Sequence, residues 1–156
     1  MGTGCRIGVL YRAQRVIRSV AVHWDGYPAG VGEALERYYG DGLVDENREK
    51  VEALVEGGNL RYLESDTCLE HFPAVESTAA KEDTSYSAFF YRTMDHAGEY
   101  YYLYEHGVGW KCGSTLSGTP LAGRLVSLSE AIQAMEEWEE ARQQKRRTEA
   151  DKGLDV

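Results

Sequence analysis

The sequence predicts an α+β fold: a single antiparallel sheet of about five strands, two short helices inserted after the second strand, and a long C-terminal helix. In the segment Val16–His23, two sets of side chains alternate along the chain in the period-two pattern of a half-buried strand. Helical spacing of apolar residues occurs in Asp45–Glu56 and again after Ser127. Hydrophobic residues make up 42% and charged residues 28% of the chain, which is typical of a globular protein.

The predicted strands form two groups joined by short turns. Arg6–Tyr11 and Val16–His23 are separated by a turn short enough to close a hairpin. Ser85–Thr93, Glu99–Glu105 and Trp110–Cys112 follow one another with glycine-containing turns, which predicts a β-meander. Because each connection between strands is a short turn or a helical excursion, we expect every pairing in the sheet to be antiparallel.

Two helices are predicted between these groups of strands. Val31–Tyr39 has apolar residues on one stripe and is followed by glycines. Asp45–Glu56 has an apolar face and ends before a pair of glycines, with Asp45 as the expected N-cap. Residues 59–63 are expected to add one short turn. Residues 64–83 show no clean periodicity, which predicts a long loop with room for one strand-like or helical turn.

The last predicted element is the C-terminal helix. Ser127 and Glu130 have the spacing of a capping box, and the buried stripe that follows comprises Leu128, Ala131, Ile132, Met135 and Trp138. With 156 residues, the chain has the length of one ordinary domain. We therefore predict one α+β domain over residues 1–147 and a frayed tail over residues 148–156.

The net charge is −9, and the acidic excess is concentrated in the middle of the chain, where residues 33–83 contain 14 acidic and five basic side chains. Such a charge disfavours binding to nucleic acid phosphates and favours attraction to basic surfaces. The three scattered cysteines are typical of reduced thiols, and no apolar run approaches the length of a membrane span. We expect a cytoplasmic protein without a metal or cofactor.

The most unusual segment is the glycine-rich loop at residues 23–32. His23 and Asp25 are two residues apart, so they could act as a base and its orienting carboxylate. Trp24 and Tyr27 could equally contact a ligand or partner, or pack between the sheet and the first helix. The sequence leaves these three interpretations open.

Tyrosines on the predicted fourth strand suggest a surface that could stack a nucleotide base or contact a protein. Together with the loop and three arginines, they define an alternative ligand pocket. Its members are His23, Trp24, Asp25, Tyr27, Arg6, Arg18, Arg92, Tyr100 and Tyr102.

The acidic middle segment suggests a third candidate site. Glu49, Glu52 and Glu56 have the i, i+3, i+7 spacing of one helical stripe. Carboxylates on a rigid surface can imitate nucleic acid phosphates and occupy a basic groove on a partner. The predicted acidic surface comprises Glu46, Glu49, Glu52, Glu56, Asp66, Glu70 and Glu76.

The first 60 residues also carry a resemblance to known proteins. The chain begins Met-Gly-Thr with a strand after it, and then reads His-Trp-Asp-Gly-Tyr-Pro-Ala-Gly-Val-Gly over residues 23–32. A Lys-Val-Glu-Ala-Leu segment follows at residues 50–54. This pattern resembles small accessory proteins encoded by bacteriophages, although the long acidic loop and the long C-terminal helix depart from it.

The resemblance implies a counter-defence role of the anti-CRISPR kind. The leading hypothesis is a non-enzymatic protein that inhibits a bacterial immune system by stoichiometric binding of a basic, nucleic-acid-handling host protein, for example a Cas protein or complex. Binding would use the acidic surface, in the cytoplasm of the infected host, with no direct contact to nucleic acid or membrane. A homodimer is compatible with the sequence.

Two alternatives remain open. The first is a sponge that sequesters a nucleotide immune signal, such as a cyclic nucleotide or an ADP-ribose derivative, in the alternative pocket. The second is a hydrolase that uses His23 and Asp25.

Overall fold

The computed structural model describes residues 2–154, with side chains from residue 2 to residue 152. The strands are β1 (Gly4–Tyr11), β2 (Val16–Val22), β3 (Leu60–Leu63), β4 (Leu69–His71), β5 (Lys81–Asp83), β6 (Gly98–Glu105), β7 (Gly109–Ser114) and β8 (Val126–Ser127). The α-helices are α1 (Glu33–Tyr39), α2 (Asp45–Glu56), α3 (Tyr86–Asp95) and α4 (Leu128–Leu154).

The eight strands form one mixed sheet, so the predicted five-stranded antiparallel sheet is wrong. The strand order is β4-β3-β2-β1-β6-β7-β8, with β5 also paired to β2. Strand β1 is antiparallel to β2 but parallel to β6, and β2 is parallel to β3. Neighbouring parallel strands require a crossover connection, which α1 and α2 provide between β2 and β3. The class remains α+β, and the long C-terminal helix is present.

The segment predicted as the third strand is helix α3. The Ser85 hydroxyl accepts a hydrogen bond from the Ala88 N–H at 3.0 Å, as an N-cap residue does. Phe89 and Thr93, four residues apart, are its buried residues. The aromatic residues of this segment favour strands, but the helix allows Phe89 to pack against Ile17 of β2.

Short strands occupy segments that were predicted to be a turn and a loop. Strand β3 replaces the predicted turn at residues 59–63, whereas β4, a 3₁₀ turn and β5 lie within residues 64–83. Each of these strands has three or four residues, too few to show a period-two pattern. In contrast, α2 has the predicted bounds, although its N-cap is Val44 and not the predicted Asp45, and β6 and β7 form the predicted antiparallel hairpin.

Helix α4 packs on the sheet only through its first turns. The Ser127 hydroxyl accepts a hydrogen bond from the Glu130 N–H at 3.4 Å, which matches the predicted cap. Every side chain from residue 143 to residue 152 is exposed, and the helix continues through the segment predicted to fray. Residue 1 of the predicted domain and residues 155–156 of the predicted tail lie outside the described residues. Within residues 2–154, no helix is long and apolar enough to cross a membrane.

Helices cover both faces of the sheet. The main core lies between one face and α1, α2 and α4, whereas a smaller cluster lies between the other face and α3. Strand β6 contributes to both: Tyr100, Tyr102 and Tyr104 face the main core, and Tyr101 and Leu103 face α3. Alternate residues of one strand therefore supply two separate apolar layers.

The tyrosine face predicted to bind a base or a protein belongs to the core. Tyr100, Tyr102 and Tyr104 are 5%, 0% and 0% exposed. Burial raises the pKa of Tyr100 to about 12, and it holds the pKa of Tyr102 well above its ordinary value of 10. These phenols are therefore structural groups that the folded protein keeps neutral.

We predict that the protein loses stability at alkaline pH because of these buried tyrosines. Their pKa values are raised in the folded state, so their contribution is complete below pH 10 and is lost as the pH rises toward 12 and beyond. Each such phenol contributes a slope of about 1.4 kcal/mol per pH unit. Urea denaturation at several pH values measures this slope.

The variants Tyr100→Phe and Tyr91→Phe form a matched pair for this measurement, because Tyr91 is 54% exposed. Tyr100→Phe is expected to make the alkaline loss of stability less steep, whereas Tyr91→Phe leaves it unchanged. Equal slopes in both variants and the wild type would contradict this explanation.

Candidate functional site

The motif loop, residues 23–32, is held by short main-chain hydrogen bonds. The Gly26 N–H donates to the Thr3 carbonyl at 2.8 Å, and the Val31 N–H donates to the Asp25 carbonyl at 2.9 Å. Asp25 has a φ of 56°, in the left-handed region that short polar residues tolerate. The last five residues of the loop form a π-helical turn that leads directly into α1.

Two glycines allow the loop to approach its neighbours closely. A Cβ atom on Gly26 would lie 2.7 Å from the Cβ of Cys5 in β1. A Cβ atom on Gly30 would lie 2.3 Å from the Asp25 carbonyl oxygen. Any other residue at these positions would push the loop away from the sheet or open its internal hydrogen bonds.

A buried hydrogen bond fixes the loop to the core. The Tyr102 hydroxyl donates to the Gly26 carbonyl at 2.7 Å, and Tyr102 has no exposed surface. Because Tyr102 lies on β6, beside the central strand β1, this bond connects the loop to the middle of the sheet. The loop is therefore supported from below as well as by its own hydrogen bonds.

The supported loop displays two aromatic side chains at the surface. Trp24 is 48% exposed and Tyr27 is 40% exposed. They border an open groove of about 270 Å³ between the loop, α1 and β3, which we call the aromatic groove. Its rings belong to Trp24, Tyr27, Tyr38 and Tyr62, and its charged groups belong to Asp25, Glu33, Arg37 and Glu64.

A second groove, of about 490 Å³, lies along α4 and is also lined by Tyr27. This α4 groove shares Tyr27 and Ala29 with the aromatic groove. Its apolar lining includes Pro28, Ile132 and Met135, and its carboxylates are Glu136, Glu139 and Glu140. Tyr27 thus lines two concave surfaces that both carry carboxylates.

His23 and Asp25 do not form the dyad considered from the sequence. The His23 ring packs on Phe72 with a centroid distance of 4.6 Å. The Asp25 carboxylate accepts a hydrogen bond from the Tyr27 hydroxyl at 3.3 Å, and its charge raises the pKa of Tyr27. Within the described residues, His23 makes no side-chain hydrogen bond to Asp25. The hydrolase alternative therefore lacks its orienting contact.

The predicted nucleotide pocket is not assembled either. Tyr100 and Tyr102 are in the core, and burial lowers the pKa of Arg6 to about 10. All three predicted arginines are occupied within the chain: Arg6 by Ser19, Arg18 by Glu56 and Glu82, and Arg92 by Asp83. Of the nine predicted pocket residues, Trp24, Asp25 and Tyr27 line the aromatic groove, and Tyr27 and Tyr100 line the α4 groove, so no groove brings the set together. The sponge alternative thus loses its phosphate contacts.

The predicted acidic surface is interrupted by the basic residues of the chain itself. Four of its seven members form ion pairs: Glu52 with Arg48, Glu56 with Arg18, Asp66 with Lys50, and Glu70 with Arg61. Glu46, Glu49 and Glu76 are exposed and have no ion pair within the described residues. Helical spacing correctly aligned the glutamates, but it could not show that neighbouring elements bring cations to them.

Several groove residues were not identified from the sequence. Glu33 and Arg37 have the i, i+4 spacing of one face of α1, so the helical pattern contained a signal for them. Tyr62 lies on β3, which was predicted to be a turn, and Glu64 follows that strand. Their proximity to Trp24 depends on the parallel pairing of β2 with β3, which local patterns do not specify.

Within residues 2–154, no group of three or more His, Cys, Asp and Glu side chains is arranged to hold a metal ion. Comparisons with known proteins add no assignment, because no protein-family model, curated protein or solved structure matches the chain. The aromatic groove is therefore identified as the candidate site from its geometry alone.

We predict that Tyr102→Phe destabilises the protein by about 1–3 kcal/mol, because the Gly26 carbonyl loses its buried donor. Urea denaturation at neutral pH measures the effect. Tyr91→Phe, at an exposed position, is the matched control and is expected to change stability by less than about 0.5 kcal/mol. Equal stabilities of the two variants would show that the bond does not hold the loop.

Proposed function

We propose that this protein is a non-catalytic binding protein that occludes a basic partner protein by stoichiometric contact through the aromatic groove. The observation that carries the proposal is the display of Trp24 and Tyr27 on a loop fixed to the core. Tryptophan, tyrosine and arginine dominate the energetics of protein interfaces. The groove combines these three residue types, since Arg37 also lines it.

The support of the loop favours this function over a purely structural role. Trp24 is half exposed although the loop backbone is packed against β1, so its ring is not needed to fill the core. A contact group that is already ordered loses little conformational entropy when it binds. The loop geometry thus suits a recognition surface.

The charge of the chain favours a basic partner. The net charge is −9, and three carboxylates line the aromatic groove against one guanidinium. Complementary charge accelerates association and is screened by salt, with a Debye length of about 10 Å at 0.1 M. Contact at the aromatic groove replaces the predicted contact at the acidic surface, four of whose members are paired internally.

For the biological setting, we propose a phage-type counter-defence protein that inhibits a bacterial immune protein in the cytoplasm of the infected host. This part of the proposal is supported by the resemblance of residues 23–32 to bacteriophage accessory proteins. Occlusion by stoichiometric contact requires no catalytic residue.

The proposal is tested by affinity capture from bacterial lysate with three tagged proteins: wild type, Trp24→Ala and Tyr91→Ala. Trp24→Ala is expected to weaken partner binding by about 2 kcal/mol, or about thirtyfold. Tyr91→Ala removes an aromatic ring of similar exposure from α3, on the opposite face of the sheet, and is expected to bind normally.

The captured partner is then purified, and its dissociation constant is measured at two salt concentrations. Weaker binding at higher salt is expected for a basic partner. Retention of the partner by Trp24→Ala, or recovery of a nucleotide instead of a protein, would contradict the proposal.

A further inference from the structure

We infer that the aromatic groove receives the guanidinium group of an arginine side chain of the partner protein. This inference rests on the proposed function and specifies the chemistry of its contact. It follows from the charge, the rings and the size of the groove.

The charged groups of the groove favour a cation. Three carboxylates line the groove, those of Asp25, Glu33 and Glu64, whereas Arg37 is its one cationic lining residue. An anionic ligand would meet net repulsion here, whereas an entering cation would be attracted. The α4 groove, which shares Tyr27 with the aromatic groove, adds three more carboxylates to this negative surface.

The rings of the groove favour a guanidinium over a compact ammonium. Aromatic faces attract cations, and the planar guanidinium can stack on a ring while donating paired hydrogen bonds to a carboxylate. The protein already uses this contact at the groove, where the Arg37 guanidinium lies 5.7 Å from the centre of the Tyr38 ring. Nearby, the Arg61 guanidinium lies 4.4 Å from the centre of the Phe72 ring.

The small size and the openness of the groove suit a single side chain that is attached to a partner backbone. Its volume of about 270 Å³ is close to the lower end of the range of roughly 300–1,000 Å³ that is usual for small-molecule sites. The groove is also open at the surface, so a side chain attached to a partner backbone can enter it from outside. These features match one residue of a docked protein.

The inference is tested by nuclear magnetic resonance with N-acetyl-arginine amide as the probe. N-acetyl-citrulline amide is the matched control, because it has nearly the same shape without the positive charge. The signal is the indole N–H of Trp24, assigned with the Trp24→Phe variant. We expect the arginine probe to shift this signal in a saturable manner. The citrulline probe is expected to bind at least about fivefold more weakly.

Two double variants remove the same total charge from different places. Glu33→Gln with Glu64→Gln is expected to weaken arginine binding by about fivefold. Glu46→Gln with Glu49→Gln changes two exposed carboxylates of α2 and is expected to leave binding unchanged. Equal binding of arginine and citrulline, or equal weakening by both double variants, would overturn the inference.

The two experiments distinguish a failure of the arginine inference from a failure of the proposed function. If the arginine probe leaves the Trp24 signal unshifted while Trp24→Ala still loses the captured partner, the arginine inference fails and the proposed function stands. If the arginine probe binds but Trp24→Ala retains the partner, the proposed function fails.

Discussion

The hydrogen bond from Tyr102 to the Gly26 carbonyl is the contact on which the candidate site depends. It joins a fully buried residue of β6 to the loop that displays Trp24 and Tyr27. The contact requires Gly26, because a side chain there would collide with Cys5. Tyr102 in the core and Gly26 in the motif together hold this surface loop in one position.

Local sequence patterns were sufficient for the parts of the fold that are held by neighbouring residues. The β1–β2 hairpin, helix α2 and the Ser127 cap of α4 follow from alternation, helical spacing and capping. The parallel pairs β1–β6 and β2–β3 were missed, since they join distant segments. Helix α3 was missed because its aromatic residues favour strands, whereas the structure buries Phe89 and Thr93 together on one face of a helix.

The same distinction applies to the candidate site. The motif loop was recognisable because glycines and aromatic residues are concentrated in it, but only the structure shows that Trp24 and Tyr27 are exposed. The other residues of the groove were not recognisable, because Tyr62 lies near the loop only through the long-range pairing of β2 with β3. The burial of the Tyr100 face and the ion pairs within the acidic stripe could not be inferred either, since both depend on what the rest of the chain packs against them.

The central claim is that the motif loop is ordered before it meets a partner. Amide hydrogen exchange of the free protein, resolved residue by residue, tests this claim most directly. The Gly26 and Val31 amides donate to Thr3 and Asp25, so we predict that they exchange as slowly as amides of the central strand β1. Exchange of both amides at the rate of an unstructured chain would contradict the claim.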